Sequence, residues 1–148
     1  MSAKPDLGAA RVQRLVPMLR VLDVERSLRF YAHLGFETSE KLVHPGGVML
    51  WAFARSRTAE VMFACADEPI VPEEQGALLY LYSEDVAALR RHLLAAGLRD
   101  GGPYCGQKDA PASGIVFELT RPPYMPDGEI RVADPDGYCL LIGQLERE

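Results

Sequence analysis

The chain is poor in the residues that mark several kinds of chemistry. Its three cysteines, Cys65, Cys105 and Cys139, are odd in number and widely spaced. That argues against a disulfide framework or a zinc knuckle and fits reduced thiols packed as small apolar groups. The three histidines, His33, His44 and His92, share no metal-ligand spacing and read as surface or interface residues. No Gly-x-Ser-x-Gly, phosphate loop or dinucleotide fingerprint is present. No apolar run approaches the roughly 20 residues of a membrane span. The sixteen Lys and Arg are scattered or sit beside acids, as in Asp23-Val24-Glu25-Arg26, so no basic face points to nucleic acid. Met1 to Arg11 has no apolar stretch of the secretory kind, which with reduced thiols leads to an expectation of a cytoplasmic protein.

What the chain does have is a repeat. An apolar run at Leu15–Leu22, then Asp23-Val24, a helical pattern and Gly35 recur 62 residues later as Leu78–Tyr82, Asp85-Val86, a second helical pattern and Gly97. Each copy carries an apolar face that it cannot bury alone, so the copies should pack together and share a cleft. The 148 residues, 48% hydrophobic and 25% charged, suffice for one folded domain over residues 12–146. Residues 1–11 form an extension, and the modules span about 12–66 and 77–146. The net charge of −5 selects no partner by itself.

Local patterns fill in each module. Pro17 places the first strand at an edge or starts it near that proline. Asp23 or Ser27 can cap a helix whose buried stripe is Leu28, Phe30, Tyr31 and Leu34, and Gly35 stops it. Phe36–Val43, Val48–Ala54 and Ala59–Ala66 follow as strands, with a turn at His44-Pro45-Gly46-Gly47. Asp67–Gly76 connects the modules. In the second copy Val86, Leu89, Leu93 and Leu94 carry the helix. Arg99–Gly114 reads as a loop with a short strand, and Ile115–Thr120, Glu129–Ala133 and Tyr138–Leu145 as strands. Asp134-Pro135-Asp136-Gly137 has hairpin chemistry. The class is therefore α+β, built from two βαβββ modules.

The segment Val16–Tyr31, its Leu-Gly-Phe close, and Asp134-Pro-Asp-Gly-Tyr-Cys-Leu-Leu-Ile-Gly resemble the glyoxalase, bleomycin-resistance and extradiol-dioxygenase group, the vicinal oxygen chelate superfamily. The resemblance covers roughly residues 12 to 146. It implies a cup-shaped mixed β-sheet made by the two modules, often completed in a homodimer. In metal-dependent members four donors line that cup. Aligning the motifs puts Val16, Leu78 and Leu141 at three donor positions and the fourth near Glu60-Val61-Met62. Apolar side chains offer no lone pair to a divalent ion. If Val61 and Phe63 face the cup, alternation turns Glu60 away as well. No metal and no cofactor is expected.

Alternation places Met18 and Arg20 on the face of Val16, and Tyr80 and Tyr82 on the face of Leu78. With Trp51, Phe63 and Tyr124 they form the expected lining for a flat aromatic or amphipathic small molecule, with Arg20 or Glu129 orienting a charged group. The expected function is metal-independent sequestration of such a molecule, like that of bleomycin-resistance proteins. The partners expected are that ligand and a second copy of the chain, with neither nucleic acid nor membrane. The alternative is a lyase, isomerase or dioxygenase with a rearranged site using Glu60, Glu118, Glu129 or a histidine, in which Glu118 and Glu129 form an acid–base pair. A third possibility is a module that serves only as a dimeric interaction domain.

Overall fold

The computed structural model describes residues 4, 6–102 and 114–146, and Cys105 lies outside them. The elements in chain order are β1 (Met18–Val21), α1 (Val24–Ala32), β2 (Glu37–Val43), β3 (Met49–Ser56), β4 (Ala59–Cys65), β5 (Leu78–Ser83), α2 (Val86–Ala95), β6 (Arg99–Gly102), β7 (Ile115–Phe117), β8 (Glu129–Ala133) and β9 (Cys139–Gln144). The order β1-β4-β3-β2 makes one sheet and β5-β9-β8-β7-β6 the other. In each module the first strand runs parallel to the last, β1 beside β4 and β5 beside β9, and the intervening pairs β2–β3, β3–β4, β7–β8 and β8–β9 are antiparallel. The short strand expected in the Arg99–Gly114 stretch is β6, which adds to the far edge of the second sheet, parallel to β7.

The helices form where the repeat places them, and for the same reasons in both copies. Asp23 caps α1 by accepting a hydrogen bond from the Arg26 N–H, and Asp85 caps α2 through the Ala88 N–H. Ser27, the other candidate cap, is instead buried within α1. Gly35 and Gly97 follow the two helices with φ of 94° and 95°, a left-handed conformation that favours glycine over residues with a Cβ. Pro17 lies just before β1, which is an edge strand, so Leu15 falls outside the ladder and is 82% exposed.

The helix-bearing faces of both sheets drain into one core. Leu19, Val21, Val61 and Phe63 from the first sheet cluster with Tyr31 of α1, Leu93 of α2, and Val116, Ile130, Leu140 and Ile142 from the second. No strand of one sheet pairs with a strand of the other among the described residues, so the two modules form two separate sheets. No described helix is long and apolar enough to cross a membrane.

The hairpin between β8 and β9 does more than turn the chain. Asp134 and Asp136 are both fully buried. Asp134 accepts the N–H groups of Asp136 and Tyr138, each at 2.9 Å, and the Tyr31 hydroxyl at 2.8 Å. Asp136 accepts the Leu22 N–H at 3.0 Å and the Arg26 guanidinium at 3.2 Å, and its carbonyl takes the Gln75 amide at 3.1 Å. The Tyr138 hydroxyl donates to the Arg20 carbonyl at 3.0 Å. A turn of the second module is thereby tied to β1, α1 and the intermodule connection.

Burial raises the Asp134 carboxyl to about 6, against the hydrogen bonds from Tyr31 and the backbone that lower it. A carboxyl raised in the folded state binds its proton more tightly there than in the unfolded chain. Its stabilising contribution is present at low pH and is lost as pH rises through about 6. Urea unfolding of the parent and Asp134→Asn at pH values of about 4.5 and 7.5 should show the difference moving toward the parent by about 2 kcal/mol at the lower pH. A pH-independent difference would contradict this assignment.

Candidate functional site

Each sheet has a face turned away from its helix, and these open faces carry most of the residues expected to meet a ligand. On the first sheet Met18 lies opposite Met62, Arg20 and Trp51 both lie opposite Ala64, and Arg55 lies opposite Glu60. On the second, Leu78, Tyr80 and Tyr82 lie opposite Cys139, Leu141 and Gly143, which in turn face Ala133, Arg131 and Glu129. Leu78 is 67% exposed, Tyr82 61% and Tyr80 39%. The two tyrosine rings sit 5.2 Å apart at a tilt of 46°.

Phe63 departs from the expectation. It is wholly buried and packs against Tyr31 at 4.8 Å, because β4 turns Val61 and Phe63 toward α1. It belongs to the core and lines neither open face. The same parity brings Glu60 onto the open face, where Arg14 and Arg55 both pair with it. Hydrogen bonding from Arg14, then the charges of Arg14 and Arg55, hold its carboxyl below the usual range. The two guanidinium groups also lie over the Phe53 ring, 5.4 and 5.0 Å from its centroid, and Phe53 is 4% exposed although it faces outward. Arg20 is tied to Asp67 at 2.8 Å, which makes it part of a surface ion pair.

Glu129 is 1% exposed on the second open face. It accepts the Tyr80 hydroxyl at 2.7 Å, the Tyr124 hydroxyl at 3.1 Å and Arg131 Nε at 3.3 Å. Burial first, and then the hydrogen bond to Glu129, push the Tyr80 phenol well above its ordinary range. Glu118 is exposed, and its backbone N–H pairs with the Gly102 carbonyl, so it forms no acid–base pair with the sealed Glu129. His33 and His92 approach to 6.3 Å between rings at the helix ends, away from both open faces.

Arg14, Arg55, Arg131 and Gly143 were not among the expected site residues. Arg131 was within reach of the sequence, since it stands two positions from Glu129 on the same strand face. Arg14 belongs to no strand or helix and carried no periodic signal.

A cleft of about 730 Å³ runs between the modules along the free edge of β5. Leu15, Pro17, Leu34, Leu79, Leu81 and Leu89 give it an apolar wall, and Tyr80 and Tyr82 also border it. Among the described residues no three His, Cys, Asp or Glu side chains gather as a metal site. The donor set reaches the same point by chemistry: Val16, Leu78 and Leu141 have no lone pairs for a metal, and Glu60 is engaged by two arginines. These residues do not fit the four-donor set that the resemblance implies for metal-dependent members.

Residues 11–142 match the Glyoxalase/Bleomycin resistance protein/Dioxygenase superfamily. The chain belongs to that superfamily. Its fold is similar to that of a bleomycin-binding protein solved with bleomycin, at TM-score 0.69 and 18% identity, over 91% of this chain and 100% of that one. It is also similar to a bleomycin resistance determinant encoded on transposon Tn5, at TM-score 0.70 and 18% identity, over 92% and 100%. A third neighbour is TnmS3, an antibiotic binding protein from Streptomyces sp. CB03234, at TM-score 0.61 and 20% identity, over 91% and 98%. No curated protein sequence matches the chain. At these identities the likeness to the three structures is one of fold.

The placement of Phe63 and Tyr82 separates core from open face by a simple comparison. Phe63→Ala should cost about 3–5 kcal/mol of stability, as for a large buried ring. Tyr82→Ala should cost less than about 1 kcal/mol, since most of that side chain already meets solvent. Equal losses in denaturant unfolding would contradict the assignment of faces.

Proposed function

We propose that this superfamily member binds a flat aromatic or amphipathic small molecule without a metal and acts by holding it. The observation that carries this reading is the lining of the open faces. Met18 and Trp51 on one sheet, Leu78, Tyr80 and Tyr82 on the other, and Tyr124 from the loop before β8, bonded to Glu129, offer apolar and stacking surface where metal-dependent relatives would need donors. Glu60 and Glu129 are engaged by arginines and phenols, so neither stands ready as a general base. Sequestration needs no such base. Fold neighbours described as bleomycin-binding and antibiotic-binding agree with the reading.

The same reading includes a homodimer. Among the described residues β1 and β5 are both edge strands without a ladder partner on their outer sides, and they belong to different sheets. Setting β1 of one protomer beside β5 of its partner satisfies both edges and brings the first open face of one chain against the second open face of the other. Each completed cup would then have Met18 and Trp51 on one wall and Tyr80 and Tyr82 on the opposite wall.

Native mass spectrometry with a panel of aromatic antibiotics that includes bleomycin tests the reading. The expected results are a mass twice 16.3 kDa, saturable binding of at least one compound, and no stoichiometric divalent metal in the protein as purified. Tyr80→Ala or Tyr82→Ala should weaken that binding several-fold, in line with about 0.5–1.5 kcal/mol per stacking ring. A panel that binds nowhere, or a metal at full occupancy inside the cup, would sink the proposal.

A further inference from the structure

The proton accounting around Glu129 selects among aromatic ligands. Tyr80 stands opposite Leu141 on β9, whereas Glu129 stands opposite Gly143, so the Tyr80 ring reaches the carboxylate diagonally across β9. Gly143 makes the crossing possible. A Cβ there would lie 2.8 Å from the Tyr80 hydroxyl, 3.0 Å from its Cε1 and 2.7 Å from Met125 Cε. Gly143 is not among the glycines of positive φ, so the glycine serves space and not backbone conformation.

A carboxylate paired with Arg131 has no proton to give, and a phenol has one. Tyr80 and Tyr124 both spend theirs on Glu129. Each phenol oxygen is left with lone pairs only. Tyr124 uses part of that capacity on a long contact from Arg131 at 3.5 Å. Both tyrosines are partly exposed, 39% and 59%, and the Tyr82 ring stands beside Tyr80 as a stacking surface. A ligand carbonyl or ether oxygen brought to these hydroxyls would meet lone pairs, whereas an N–H or O–H group would complete a hydrogen bond.

We infer that the open face of the second sheet is a donor-selective subsite: it takes an aromatic ring bearing an N–H or O–H group, stacked on Tyr82 and donating to the phenol oxygens that Glu129 orients. Glu129 and Gly143 are positioning residues in this scheme, acting through Tyr80. The inference rests on the proposed binding function and adds the chemistry of the ligand.

The test compares 2-naphthol, which donates, with 2-methoxynaphthalene, which only accepts, by fluorescence titration of the full chain. The parent should favour 2-naphthol by about tenfold or more, because the acceptor-only analogue leaves a polar group unpaired. In Glu129→Gln the amide donates to one phenol, which then turns its own proton outward, and the preference should fall to within about twofold. Tyr80→Phe removes one acceptor while Tyr124 and Arg131 remain on Glu129, and it should lose most of the preference even if Glu129→Gln folds poorly. Ultraviolet titration of the tyrosines adds a readout without ligand. One phenol that resists ionisation in the parent should titrate at lower pH in Glu129→Gln. Equal binding of the two probes by the parent, or an unchanged preference in Tyr80→Phe, would overturn the subsite and leave the binding function standing. Failure of the parent to bind either probe would contradict both.

Discussion

The structure depends on the buried carboxylates of one turn. Asp134 and Asp136 occupy the hairpin between the last two strands, yet their partners Tyr31, Leu22 and Arg26 lie in the first module. Two carboxylates at zero exposure are costly to bury without hydrogen bonds. Asp134 accepts through both oxygens, whereas Asp136 accepts through Oδ1 and its buried Oδ2 has no partner among the described residues. Their bonds are directional where the shared apolar core is not. The core holds the modules together, and the hairpin fixes how they meet.

That arrangement decides what each sheet shows to solvent. With the helix-bearing faces pooled in one core, the opposite faces are left to carry chemistry, and they do so differently. The first presents a carboxylate clamped by Arg14 and Arg55 above Phe53. The second presents a carboxylate clamped by Tyr80, Tyr124 and Arg131. In both, a carboxylate holds the side chains around it in place. The open faces therefore carry exposed apolar and aromatic side chains beside polar groups already engaged with one another, and the proposed binding function rests on that lining.

The repeat made most of the fold legible, because helix caps, strand alternation and stop glycines are local signals. Asp23, Asp85, Gly35 and Gly97 stand where their spacing placed them. The face of β4 was not legible: period-two alternation separates Glu60 from Phe63 but does not say which set α1 covers, so Phe63 looked equally suited to core and cup. The Asp-Pro-Asp-Gly run announced a hairpin and concealed an intermodule lock, since Tyr31 lies 103 residues from Asp134. Glu129 read as a candidate acid or base because only tertiary structure brings Tyr80, from a strand two places away in the sheet, onto it. Arg20 offered a free anchor in sequence and is held by Asp67 from the connection in space.

The central claim is that a ligand cup takes one wall from each of two protomers, and mixing two defective variants tests it most directly. One variant carries Met18→Ala and Trp51→Ala on the first open face, the other Tyr80→Ala and Tyr82→Ala on the second, and each alone should bind the parent's ligand weakly. After subunit exchange, a mixed dimer would join the intact first sheet of one chain to the intact second sheet of the other. The account predicts that binding at parental affinity returns in the mixture, with one site per mixed dimer. A mixture that binds no better than its components would show that both walls come from the same chain, and would contradict the account.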